Sequence, residues 1–200
     1  MLSAMTERPV LSSERLLLRP HRLADFERLV SLWSHPVVVT HFGGKPFNRE
    51  DSWNRLLRYA GHWQLMGYGL WAVTRPGEDI HLGDVGFLHA ERTGVEPFGC
   101  PEAAWAFHPE AQGQGYASEA VACALEWADT RFDRTVAMIN PANATSISVA
   151  RRCGFSIYRK DPRIVYAVVQ TDKTITTVQG QPANDKLDLA AGGIFRSDDK

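Results

Sequence analysis

Several things are scarce in this sequence, and each scarcity removes a class of function. The 200 residues hold only three cysteines, Cys100, Cys123 and Cys153. They are odd in number and never stand in CxxC spacing, which argues for a reducing compartment and against a disulfide framework or a zinc site. No apolar run approaches the ~20 residues that span a bilayer, and the N-terminus lacks the apolar core of a signal peptide. No basic block appears: 22 lysines and arginines face 23 acidic residues, for a formal net charge of -1. An electrostatic footprint for nucleic acid is therefore not expected. The reading is a cytoplasmic protein, monomer or homodimer, with no nucleic-acid partner, no membrane partner and no metal. Its 44% hydrophobic and 22% charged residues fit a soluble globular chain long enough for one sizeable core.

The stretch from Pro101 to Phe132 is the most informative. Ala104-Trp105-Ala106-Phe107 alternates like a strand with its aromatics on one face. His108-Pro109-Glu110 signals a turn, and Ala111-Gln112-Gly113-Gln114-Gly115-Tyr116-Ala117 is a glycine-rich loop. From Ser118 the period becomes helical, with Ala120, Val121, Ala124, Leu125, Trp127 and Ala128 on the apolar face. Strand, glycine loop and helix together make an anion site, because the first amides of a helix have no intrahelical partner and the macrodipole favours negative charge there. A dinucleotide loop would want a third glycine where Ser118 stands, and a Walker loop would want Gly-Lys-Ser/Thr. Neither pattern is met here.

A second motif follows, from Asn140-Pro141-Ala142-Asn143-Ala144-Thr145-Ser146 to Gly154-Phe155. Asn143 can cap a helix, Ile147, Val149 and Ala150 give it apolar surface, and Gly154 sits where a left-handed helix stop is expected. Gln112-x-x-Gly115-x-Ala117 followed by Asn143-x-x-Ser146 resembles the paired signature of the GNAT N-acetyltransferases, particularly the RimJ/RimL-type branch that acetylates ribosomal-protein N-termini. The opening Glu14-Arg15-Leu16-Leu17-Leu18-Arg19-Pro20 is similar to the start of the same branch.

Read in order, the chain predicts strands over 14–20, 68–74, 81–89, 104–107, 135–139, 155–158 and 164–169. Strands 68–74 and 81–89 read as an antiparallel hairpin, the second alternating. Helices are expected over 23–33, ended by Pro36, then after an Asn48 cap with Trp53, Leu56, Leu57, Ala60, Trp63 and Gln64 on the apolar face, and after the two motifs. That order matches the resemblance, which covers residues 11–169. The expected fold is α/β (α+β): a mixed sheet of about seven strands flanked by about four helices. Residues 1–10 read as a flexible N-terminus, 11–170 as a single acetyltransferase domain and 171–200 as a polar tail.

The resemblance implies acetyl-coenzyme A as cofactor and an amine acceptor, either a protein N-terminus or a small molecule, with direct transfer in a ternary complex. It implies that Gln112, Gly113, Gln114, Gly115, Tyr116, Ala117 and Ser118 hold the pyrophosphate. Trp105 and Phe107 would line the pantetheine arm, with the Phe107 amide polarising the thioester, and Asn143 and Ser146 would wall its other side. The loop 41–47 would help wall the acceptor. The usual proton donor to the leaving thiolate is a tyrosine one helical turn before the Gly-Phe pair, where this chain has Ala150. Ser146 takes that role in this reading and Tyr158 is the alternative; a thiolate of pKa ~8.5 needs little help. Glu102 is the first candidate base, through an ordered water, followed by His89 and Glu91; His108 belongs to the turn. Two other readings stay open: a non-catalytic acyl-coenzyme A-binding regulator on the same fold, and an interaction module whose glycine loop is structural.

Overall fold

The computed structural model describes residues 8–92, 98–160 and 164–170; the expected tail 171–200 and the first seven residues of the expected loose N-terminus lie outside them. Eight strands form one mixed sheet in the order β1-β2-β3-β4-β5-β6-β8-β7. They are β1 (Leu11–Ser12), β2 (Leu17–Arg19), β3 (Leu70–Thr74), β4 (Gly83–Leu88), β5 (Glu102–Phe107), β6 (Arg134–Ile139), β7 (Ser156–Lys160) and β8 (Val165–Gln170). Every neighbouring pair is antiparallel except β5 and β6.

Helices α1 (Phe26–Ser34), α2 (Pro36–Val39) and α3 (Arg49–Met66) pack on one face, in a cluster with Leu70, Ala104 and Ala106. Helices α4 (Tyr116–Asp129) and α5 (Ala144–Arg152) cover the other, against Val85, Phe87, Ala103 and Phe107. Because both faces are covered, β4 is buried at all but its last position rather than alternating as expected. At Gly69 a Cβ would stand 2.5 Å from the Trp63 ring, so only glycine lets that indole join Trp71 and Trp127.

The expected architecture is present with two small additions. The two-residue β1 pairs with β2, and Pro36 does more than end α1: it occupies the first turn of α2, where a missing N–H costs nothing. Asn48 caps α3 through a reciprocal box with Asp51. The buried face of α3 differs from the expected one. Ser52, Leu56, Tyr59 and Trp63 face inward, while Trp53 and Leu57 are 39% and 51% exposed. Steps of four, three and four residues keep that set in one stripe, and Ser52 and Tyr59 are tolerated inside because their hydroxyls are bonded, Ser52 to Asn48 C=O and Tyr59 to Asp84.

Candidate active site

Helix α4 begins at Tyr116, two residues before the change of period had placed it, and its N-cap is Gly115. No side chain caps this end, whereas α3 and α5 are capped by Asn48 and Asn143. The first-turn amides of Tyr116, Ala117 and Ser118 are thus left for an external acceptor. Gly113 and Gly115 hold φ of 76° and 80°, a left-handed backbone that glycine adopts without strain. A Cβ on Gly113 would meet nothing within 4 Å, and one on Gly115 only Arg15 Nη2 at 3.4 Å, so the loop opens outward. Gln112, Gly113, Gln114 and Gly115 are exposed and Tyr116 is buried. Gln112 Nε2 donates to Phe107 C=O at 2.9 Å and Gln114 Nε2 to Glu110 C=O at 2.8 Å, which fixes the loop to the end of β5. Inside the first turn, Ser118 Oγ is buried without a partner. An open cradle of amides at a helix N-terminus fits a diphosphate.

The strand leading into this loop is paired fully on one side only. β4 and β5 form six register couples, from Gly83↔Phe107 to Leu88↔Glu102. β5 and β6 share the single couple Glu102↔Val136, supported by Val136 N–H to Pro101 C=O at 3.1 Å. Beyond Glu102 the two strands splay. His108 N–H donates to Leu82 C=O, which fixes the alternation: even-numbered residues of β5 turn their peptide groups to β4, and Trp105 and Phe107 turn theirs into the wedge beside β6. Trp105 and Phe107 side chains lie on the α4 face, in the same cluster as Ala120 and Ala124.

Helix α5 meets the wedge from that same face. Asn143 Oδ1 accepts the Ser146 N–H at 3.0 Å, as expected of a cap, and Gly154 has φ of 85°. Trp105 Nε1 donates to Ser146 Oγ at 3.3 Å, so the strand before the glycine loop and the second motif touch through two side chains 41 positions apart. Ala150 is buried in the core and offers no acid. Tyr158 lies on β7, beyond the turn.

Of the three base candidates, Glu102 is buried and gripped by both Nη atoms of Arg92. Burial pushes its carboxyl up, and Arg92 offsets that only in part. His89 and Glu91 pair with each other at 2.6 Å on the surface beyond β4. His108 is buried in the turn, and burial followed by the Arg28 charge lowers its pKa to about 4.

The structure adds residues that no local signal marked. Arg15, a hundred positions away, donates to Gln114 C=O at 3.1 Å and pairs with Glu119 at 2.6 Å beside the glycine loop. On the opposite face Asp84 is a hydrogen-bond hub. Its Oδ1 meets His21 Nε2 at 2.8 Å and His81 Nε2 at 2.7 Å, and its Oδ2 accepts from Tyr59 Oη at 3.1 Å and Trp33 Nε1 at 3.3 Å. Burial alone would raise this carboxyl; His81 and His21 overcome it and hold Asp84 well below the usual range. His21, His81 and Asp84 offer ligand atoms within 4.8 Å of one another, the donor types a divalent ion accepts. Each Asp84 oxygen already has two nitrogen or hydroxyl partners, whereas Nδ1 of His21 and Nδ1 of His81 are buried without one.

Comparison with known proteins agrees with this arrangement. The family model described as an acetyltransferase (GNAT) domain matches residues 15–156. An uncharacterised Bacillus subtilis protein, YkkB, is 27% identical over 159 residues, covering 75% of this chain and 87% of YkkB. An acetyltransferase from Agrobacterium tumefaciens superposes with a TM-score of 0.71 at 26% identity, covering 82% of this chain and 95% of the other. The ribosomal-protein α-N-acetyltransferase RimL, solved in complex with coenzyme A, shares the fold at 16% identity with a TM-score of 0.65, covering 82% and 99%. No helix among the described residues is long and apolar enough to cross a membrane. A match spanning most of the chain, on a fold that leaves an uncapped helix beside a splayed strand pair, means that this protein belongs to the GNAT acetyltransferase family.

Proposed function

We propose that this protein is an acetyl-coenzyme A-dependent N-acetyltransferase that moves an acetyl group directly onto a primary amine in a ternary complex. The observation that carries the reading is the uncapped start of α4 behind two left-handed glycines. Residues 112–118 would hold the diphosphate on the open first-turn amides of α4. Once bound, the coenzyme supplies an activated thioester; the chain supplies the rest. The wedge-facing amide of Phe107 donates to the carbonyl oxygen where charge develops. The amine nitrogen bonds to the acyl carbon, the carbon–sulfur bond breaks, one proton leaves the amine and one reaches the sulfur. Ser146 Oγ accepts the Trp105 indole N–H, and its own proton remains available to the departing thiolate. An α-amine of pKa ~8 is partly neutral at pH 7 and needs only a water ordered by a carboxylate, the role given to Glu102.

Ala150 favours a second reading, a non-catalytic acyl-coenzyme A-binding regulator, since the commonest acid of the family has no counterpart there. A thermal-shift titration with acetyl-coenzyme A tests both against a purely structural loop. At 100 times the dissociation constant, binding stabilises by ~2.7 kcal/mol, a rise of ~5–11 °C for a chain this size. Gly115→Glu places a carboxylate in the cradle at φ 80° and should abolish that rise. No rise in the native chain would sink both coenzyme readings. Thiol release with an amine panel then separates enzyme from regulator.

A further inference from the structure

Arg55 lies on the α3 face with a hydroxyl as its one side-chain hydrogen-bond partner among the described residues. Its Nη1 donates to Tyr59 Oη at 3.2 Å, and its guanidinium stacks over Trp33 at 3.7 Å and Phe47 at 4.7 Å. Its Nε is buried without an acceptor. Tyr59 donates onward to Asp84, and Asp84 stands opposite Ala106 in the β4–β5 register. Arg55 is therefore anchored above the C-terminal end of β5, on the face opposite α4 and at the level of the wedge. Phe47 belongs to the exposed loop 41–47, so the guanidinium sits under the segment that closes this side.

Two further cations gather here. Arg58 is almost one helical turn along α3 and exposed. Partial desolvation, then the neighbouring Arg55 and Arg92 charges, lower its pKa. Arg92 holds Glu102 at the closed end of the wedge, where β5 and β6 pair. Among the described residues no carboxylate pairs directly with Arg55 or Arg58: Asp84 reaches Arg55 only through the Tyr59 hydroxyl, and Glu102 is taken by Arg92. Like charges left together repel, and an anion relieves them. The chemistry of that anion follows from the donors left to it: Nη1 of Arg55 is taken by Tyr59 and Nε is buried, so Nη2 of Arg55 and the exposed Arg58 guanidinium remain, and a carboxylate brings two oxygens to accept from them.

We propose that the acceptor amine carries a nearby carboxylate, as a free amino acid does, and that Arg55 and Arg58 bind it. This rests on the acetyltransferase reading, and it names the acceptor class that reading leaves open. A polyamine is the opposite case, because its charges meet the same three arginines unfavourably.

The test uses the full chain with acetyl-coenzyme A and measures thiol release. Free amino acids are compared with their C-terminal amides, phosphoethanolamine with ethanolamine, and spermidine alone. Expected is a kcat/KM at least tenfold higher for amino acids than for their amides, with spermidine lowest. Arg58→Gln should raise KM for the amino acid about tenfold, leaving KM for the amide and the acetyl-coenzyme A thermal shift unchanged. Arg55→Lys should do the same more strongly. Amides or spermidine used as well as amino acids would overturn the proposal, as would an Arg58→Gln effect shared equally by acid and amide. A preference for phosphoethanolamine over every carboxylate would overturn the choice of carboxylate. Coenzyme binding without turnover of any carboxylate-bearing amine also overturns it, whereas loss of coenzyme binding itself would instead strike the acetyltransferase reading.

Discussion

Replacing Asp84 with asparagine should cost this fold about 3–5 kcal/mol, as breaking a buried ionic cluster does. The estimate follows from the hub. Four donors converge on two oxygens at 2.7–3.3 Å, from His21, His81, Trp33 and Tyr59, and the side chain is 2% exposed. Asparagine keeps one carbonyl oxygen and turns the other into an NH2 group. In one amide orientation that NH2 faces the Trp33 indole N–H, and in the other it faces both imidazoles. At least one buried donor then loses its acceptor, at ~1–3 kcal/mol, and the remaining bonds lose their charge assistance. At ~2–4 °C per kcal/mol for a chain of this length, the melting temperature should fall by ~6–20 °C. Guanidinium denaturation of Asp84→Asn beside the native protein measures it directly. A loss below ~1 kcal/mol would refute the view of Asp84 as an ionised, fully engaged hub.

Gly115→Glu should remove the acetyl-coenzyme A thermal shift, and Arg58→Gln should change KM for carboxylate-bearing acceptors alone. His108, lowered to about 4 by burial and Arg28 from an ordinary 6.5, stays neutral in the fold while the unfolded chain takes up a proton. Its contribution is complete above pH 6.5 and is lost as pH falls toward 4, about 2 kcal/mol between pH 8 and pH 5. Denaturant midpoints across that range should show the loss, and His108→Asn should flatten it. Asn143→Ala removes the acceptor for the Ser146 N–H and should cost ~1 kcal/mol by equilibrium unfolding.

What could be read from the sequence was what is local. Asn48, Asn143 and Gly154 mark helix ends because caps and left-handed stops act over a few residues, and each sits where its pattern placed it. The glycine loop and the Asn143 helix were visible for the same reason. The buried face of α3 was not, because Trp53 and Leu57 compete with Ser52 and Tyr59 on hydrophobicity alone, and tertiary hydrogen bonds decide the outcome. Asp84 was passed over because its partners come from positions 21, 33, 59 and 81, and no window of sequence contains them. Arg15 beside the loop and the ion pair that occupies Glu102 are long-range in the same sense.

The single rung between β5 and β6 also has a mechanical meaning. Six rungs join β4 to β5 and six join β6 to β8, so the sheet is two stiff leaves meeting along a seam with one stitch. Breaking Glu102↔Val136 would leave the leaves connected through helix packing and the covalent chain. Any extended molecule that bonds to the inner margins of both leaves completes the missing stitches. Occupancy of the wedge is thereby converted into stiffness along the whole seam, and its clearest record would be slowed amide exchange at Trp105 and Phe107.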